Sequence, residues 1–251
     1  MTGKAAFKKM IHLFCAWLLA ACFLLSCGAA CAESAETDPV TGYPVITFGL
    51  WQIDTDVTST EGGQDPIEWL VLENDGKKAL LLSRYILEDT SFNQMTIQDR
   101  KGKVWAQSTL RKWLNGDFLK NAFTKDEQKA ILSTSLKNNP GPETTTKGGN
   151  SKDKIFLLSY DEMDQYLPTQ ESRVAQRTAF ASLLLQNHGY DVEGGVQPDS
   201  WWLRTPGMNV AMALLVEKDG SVDLKMGEQS VQPRGVRPAI WTDVKKMPAL
   251  Q

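Results

Sequence analysis

The 251-residue chain carries 27 basic and 30 acidic residues, a formal charge of −3, with no basic run, which argues against nucleic acid as a partner. Cys15, Cys22, Cys27 and Cys31 all lie near the N-terminus, with His12 among them, so that His188 stands alone in the rest of the chain. That distribution excludes a disulfide framework, thiol catalysis and a multi-histidine metal centre for everything beyond the first stretch.

Lys4, Lys8 and Lys9 form a positive start, Met10 to Leu25 is apolar except for His12, and Ser26 to Ala32 is small. This three-part pattern is that of a secretory signal peptide, expected over residues 1–32. Its apolar run is shorter than the roughly 20 residues of a membrane-spanning helix, so the mature form is not expected to span a membrane. Two processing sites compete. Ala30-Cys31-Ala32 directs a cut before Glu33, whereas Leu24-Leu25-Ser26-Cys27 before Gly28 resembles the lipobox of bacterial lipoproteins, with Cys27 as the lipidated first residue. The first is the better small-residue match; either product is exported, secreted or attached to the outer face of the cytoplasmic membrane. Cleavage at Ala32 removes three lysines and no acid, leaving 24 basic against 30 acidic residues, a charge of −6.

Residues 33–44 are small and polar and read as a flexible tether. Val45 to Ile53 reads as a strand, then Asp54 to Asp65 as a polar loop. Ile67 to Leu72 and Ala79 to Leu82 flank Asn74-Asp75-Gly76, the clearest hairpin signal in the chain. Ser108 caps a helical run bearing Leu110, Trp113, Leu114 and Phe118 on one face, which Gly116 can divide in two. Thr124 with Glu127, and Ser159 with Glu162, make capping boxes for two further short helices. Between them Asn138 to Asp153 reads as a loop or a boundary, and Lys154 to Leu158 as a strand. Arg173 to Asn187 reads as one helix ending at Gly189, with His188 exposed at its end rather than acting as a base. Trp201 to Arg204 reads as a strand, Val210–Glu217 and Ser221–Met226 as a hairpin about Asp219-Gly220, and Gly235 to Thr242 as a closing strand that Pro238 marks as edge or bulged. The expected architecture is α+β, with antiparallel hairpins at both ends and several short helices between, in a single domain over residues 45–244 followed by a tail at 245–251.

Certain segments occur in order: Pro66-Ile67-Glu68-Trp69, the Leu80-Leu81-Leu82-Ser83 strand, Trp105 to Leu114 (W-x-x-S-x-L-R-x-W-L), Phe156-Leu157-Leu158-Ser159, Trp202-Leu203-Arg204-Thr205-Pro206-Gly207, Asp219-Gly220, and Gly235-Val236-Arg237-Pro238-Ala239. The set resembles an uncharacterised domain family of exported proteins from Gram-positive gut bacteria, over about residues 45–244. The resemblance implies no activity. Its C-terminal half is similar in style to the C-type-lectin-like and formylglycine-generating-enzyme group of folds, where a Trp-rich strand, a hairpin and a late Gly-x-Arg lie together. The oxidase branch of that group needs active-site cysteines, which the mature chain lacks.

Four residues stand out as ligand-binding candidates: Trp201, Trp202, Arg204 and Arg237. Adjacent tryptophans on a strand point to opposite faces, so one is free to reach the surface and stack on a sugar ring or a partner protein, unless both are packed inside. Arg204 and Arg237 precede sharp turns, where they either anchor an anion or tie down loop carbonyls and a carboxylate, Asp161 or Glu162. Gln197-Pro198-Asp199 matches the tripeptide that sugar-binding C-type lectins use with calcium, but the Trp-Asn-Asp partner strand is absent, and no metal or cofactor is expected. Acid pairs such as Asp161-Glu162 with Asp164 leave glycoside hydrolysis open. The expectation is an extracytoplasmic, non-enzymatic module recognising an envelope glycan or a surface protein; the alternative is a carboxylate-dependent glycan hydrolase. A cleft lined by acids would favour the hydrolase, and a patch presenting tryptophan the module.

Overall fold

In the computed structural model, which describes residues 36–55, 63–94, 103–187, 189–191 and 194–251, Asn74-Asp75-Gly76 closes a hairpin between β2 (Asp65–Asn74) and β3 (Lys78–Ser83). Gly76 alone adopts a positive φ, +80°. Asp75 serves the turn through its side chain, whose Oδ1 accepts from the amides of Lys77 and Lys78 at 2.8 Å each. β1 (Val45–Trp51) pairs with the other edge of β2. The late strand β14 (Ala239–Asp243) pairs with β3, and β7 (Ile155–Phe156) with β14. The result is a five-stranded antiparallel sheet, β1-β2-β3-β14-β7.

A second sheet has the order β12-β11-β10-β13-β4, built from β4 (Glu88–Ser91), β10 (Trp201–Pro206), β11 (Met212–Val216), β12 (Glu228–Gln229) and β13 (Pro233–Val236). Only β10 and β13 run parallel; the other pairs are antiparallel. Two small ribbons complete the strands, β5 (Thr134–Leu136) with β6 (Ser151–Asp153) and β8 (Ala175–Arg177) with β9 (Gln197–Asp199). The helices are short: α1 (Thr109–Trp113), α2 (Leu119–Ala122), α3 (Lys125–Ala130), α4 (Tyr160–Tyr166), α5 (Gln170–Arg173) and α6 (Ala179–Asn187). The fold is therefore α+β, and Glu36–Gln251 forms one compact unit. Among the described residues no helix is long and apolar enough to cross a membrane. The expected leader, Cys27 and His188 lie outside the described residues.

Local capping chemistry appears where the sequence places it. Ser108 accepts from the Arg111 amide, and both capping boxes, Thr124–Glu127 and Ser159–Glu162, are closed. Four readings need correction. Gly116 does not divide its helical run, which continues from α1 through a π turn, Leu114–Phe118, into α2. The helix expected over Arg173–Asn187 is interrupted by β8, because Ala175–Arg177 finds a strand partner in β9 and a bridge from Arg177 to Ile86. Ser221–Met226 is not a strand: Asp219 and Asp223 hold the Ser221 and Lys225 amides in local turns, and β12 pairs with β11 instead. The closing strand is two strands in different sheets, and Pro238 lies at the crossing from β13 to β14, where its carbonyl accepts from the Ser83 amide at 2.9 Å.

Residues 36–44, expected as part of a flexible tether, fold back onto the domain. Arg84 gathers Glu36, Asp38 and Glu68 at 2.9, 3.0 and 2.7 Å, and Asp38 is buried. The tail is also docked, with Met247 buried and Leu250 against the core. At the centre of the core Trp69, Trp105, Trp201 and Trp202 are each fully buried, and each indole N–H has an acceptor. Buried indoles pair this way because an unmatched N–H in the interior is costly.

Candidate functional site

Every residue of β10 is buried, since this strand sits in the middle of a sheet covered on both faces. Trp201 and Trp202 do point to opposite faces, yet neither reaches solvent; both are 0 % exposed. Trp201 donates to the Arg173 carbonyl and Trp202 to that of Thr90, each at 3.0 Å. The idea of a tryptophan presented to a sugar is corrected on this ground. Arg204 is likewise interior: its guanidinium donates to Asn138 Oδ1, to the Leu157 carbonyl and to both carboxylate oxygens of Glu162. Glu162 was one of its two expected partners, and Asp161 is exposed. Arg237, 2 % exposed, bonds the Ser83 carbonyl at 2.8 Å and lies 5.1 Å over the Trp201 ring. Burial pulls its pKa down to about 9. It also lines a 420 Å³ cavity with Asp38, Arg84 and Glu171.

Of the acids singled out in the sequence, Glu162 is taken by Arg204, Asp161 is exposed, and Asp164 is bound to Arg173 at 2.7 Å. Asp199, from Gln197-Pro198-Asp199, is held by Arg177 at 2.6 Å and accepts from the Ser200 amide at 2.8 Å. Among the described residues no group of three or more His, Cys, Asp or Glu is placed to hold a metal ion.

The arrangement that sequence reasoning missed is centred on β4, the edge strand of the second sheet. Its Glu88 and Asp89 wall a cleft of about 650 Å³, closed opposite by Trp113 of α1 and by Gly116 and Asp117 of the π turn. Single π turns inside α-helices are found frequently at functional sites. Asp89 also lines a smaller cavity of about 290 Å³ with Arg177, Asp199, Glu217 and Arg234. Asp89 is 6 % exposed, and neither carboxyl oxygen has a hydrogen-bond partner among the described residues.

Burial governs the titration of this pair. It pushes the Glu88 carboxyl up to about 7, against the one amide of Asp89 that donates to it. For Asp89, burial and then the negative charge of Asp199 push the carboxyl up to about 8, with Arg177 opposing. A carboxyl whose folded pKa lies above its unfolded value, near 4, holds its proton in the folded state while the unfolded chain has lost it. Stability therefore falls as pH rises from about 4 to about 8. We expect the urea midpoint of the protein to drop between pH 5 and pH 8, and Asp89→Asn to reduce that drop. Equal pH dependence in the variant would show that Asp89 is ionised in the folded protein.

No curated protein and no solved structure matches the chain at a significant level. The folded unit reaches back to Glu36, so that β1 and β2 complete a sheet whose remaining strands lie within a recognised family domain. That domain is DUF6273, a domain of unknown function, whose model matches residues 76–244, and the chain belongs to this family.

Proposed function

We propose that the protein is an extracytoplasmic, non-enzymatic recognition module that takes an envelope ligand in the cleft between β4 and the α1–π-turn segment. The observation that carries this reading is Asp89, a buried carboxyl with no hydrogen-bond partner among the described residues, in the wall of a 650 Å³ cleft. Unpaired buried polar groups cost about 1–3 kcal/mol and are kept where a ligand or a specific function uses them. The leader composition supports export, with release at Ala32 or lipidation at Cys27. The lectin-like likeness draws support from β10, which lies between β11 and β13 and so brings the Trp-rich strand beside Gly235-Val236.

Gly116 supplies the test. A Cβ built on it meets nothing within 4 Å, and its φ is not positive. Gly116→Leu should therefore narrow the cleft while leaving the fold intact, since replacing glycine in a helical turn is favourable by about 0.5–1 kcal/mol. The exported chain would be screened against wall polymers and a glycan panel, with calcium and with chelator. We expect a ligand whose affinity falls at least tenfold in Gly116→Leu; a ligand indifferent to that change would place recognition elsewhere.

One observation favours hydrolysis as a second reading. Asp89 and Asp199 line the same 290 Å³ cavity in unlike environments, one buried and pushed up, the other held by Arg177. Such divergence is how a general acid and a base are set apart. Release of reducing ends from a panel glycan, lost in Asp89→Asn and Asp199→Asn, would decide for it.

A further inference from the structure

We propose that the β4 cleft selects a ligand bearing a protonated amine, with Glu88 and Asp89 as its counter-charge and Trp113 as its aromatic wall. The inference rests on the recognition reading above and names the chemistry of the ligand.

Thr90, Gln94 and Lys112 bring donors to the lining, but none of them reaches the two carboxyls. The Ser91 hydroxyl is spent on the Val231 carbonyl at 2.7 Å, and that of Thr109 faces the Phe92 carbonyl at 3.4 Å. Glu88 accepts from one backbone amide at 3.3 Å, and Asp89 from none among the described residues. A ligand that fits must bring N–H or O–H groups. Charge narrows the choice. Asp117 adds a third acid at the rim, against Lys112 as the cation of the lining, and both are exposed. A hydroxyl can bond the carboxyls but carries no charge to draw them into their ionised form. An ammonium supplies three donors and the opposite charge, and it is favoured over an indole face such as that of half-buried Trp113.

The ionisation of the pair fits a cationic guest. Burial raises Glu88 to about 7 and Asp89 to about 8, so that both hold their protons at mildly acidic pH, and an ammonium placed against them favours their charged forms. The other charged groups lining the two cavities are Lys112 and Asp117 from the α1–π-turn side, Arg177 from β8, Asp199 from β9, Arg234 from β13, and Glu217 and Lys218 after β11. Amine binding is therefore coupled to proton release, and affinity should rise from pH 5 to pH 8 while the ligand amine remains protonated.

Glucosamine and N-acetylglucosamine share a ring and differ in the charge at one nitrogen, which makes them the probes. Each is titrated into the exported chain while the Trp113 indole and Gly116 amide signals are followed by NMR. We expect glucosamine to shift both signals, N-acetylglucosamine to bind at least tenfold more weakly, and Glu88→Gln to weaken glucosamine about tenfold. Calorimetry in two buffers of different ionisation heat should show proton release. Equal binding of the two sugars in the cleft, or an unchanged glucosamine affinity in Glu88→Gln, would overturn the amine inference. Should neither sugar bind while a panel polymer does so in a Gly116-dependent way, the amine inference fails and the recognition site stands. If no ligand of either experiment responds to Gly116→Leu, both readings fall.

Discussion

Arg204→Met should destabilise the protein by about 3–5 kcal/mol, the range for breaking a buried ion pair by removing one partner. The guanidinium side chain is 3 % exposed and meets Glu162 through both carboxylate oxygens. Its Nε also donates to Asn138 at 2.8 Å and one Nη to the Leu157 carbonyl at 2.7 Å. Methionine fills much of the same volume and supplies none of these donors, so the loss measures the bonds rather than a cavity. Glu162→Gln is the control, expected to cost about 1–2 kcal/mol, because an amide oxygen can still serve the α4 cap and accept from arginine. Urea unfolding of the two variants and of the double variant gives the coupling directly. A cost below about 1 kcal/mol for Arg204→Met would mean that water reaches the pair and that Arg204 does not tie β10 to α4.

The same network explains the loop over Asn138 to Asp153. Polar, glycine-rich and proline-bearing, it reads from sequence as a boundary or a free loop. Asn138 is nevertheless buried, its side-chain amide donating to Ser151 at 3.3 Å and its carbonyl accepting from Gly148 at 2.9 Å. Arg204 then takes its remaining acceptor. Thr146 bonds the Met208 carbonyl and Asp153 is held by Trp105 and Arg111, so the loop is fastened by partners far along the chain, a dependence that no local pattern carries.

Legibility follows from range. Ser108, Thr124 with Glu127, and Ser159 with Glu162 act within a single helical turn, and all three caps were readable from spacing alone. So was the Asp75-Gly76 hairpin. β7 and β12 are two residues each, too short for periodicity to reveal, and they exist because longer strands lie beside them. Val174, Phe180, Leu183 and Leu184 suit one helix, and only the pairing of Arg177 with Gln197 and Ile86 turns part of that run into a strand. The candidate site was the least legible feature. Glu88-Asp89 reads locally as a solvated acidic pair, and its burial is created by β13 and α6, which arrive much later in the chain. A retrospective signal does exist: acids directly after Ile86-Leu87 and shortly before Phe92, in a stretch short enough to be a strand, require one of the two to face inward. Trp201 and Trp202 show the converse, since alternation was read correctly but a central strand has no outer face.

Trp202→Ala should cost about 3–5 kcal/mol, the range for removing a buried aromatic side chain. The ring is 0 % exposed, packs edge-on against Phe92 at 5.6 Å, and donates its N–H to the Thr90 carbonyl of β4. That hydrogen bond ties the core to the strand carrying Glu88 and Asp89, so Trp202→Ala is also expected to abolish binding in the cleft. Such a loss would look like that of a stacking residue, yet the ring touches no surface. Trp202→Phe separates the two explanations. Phenylalanine keeps most of the packing and leaves the Thr90 carbonyl without its donor, at a cost of about 1–3 kcal/mol. A cleft ligand should still bind the Phe variant within a few-fold under conditions where it is folded, as judged by its near-UV circular dichroism and urea midpoint. A ligand that binds wild type but loses tenfold or more in folded Trp202→Phe would show that the indole N–H acts on the cleft through β4, beyond its part in stability.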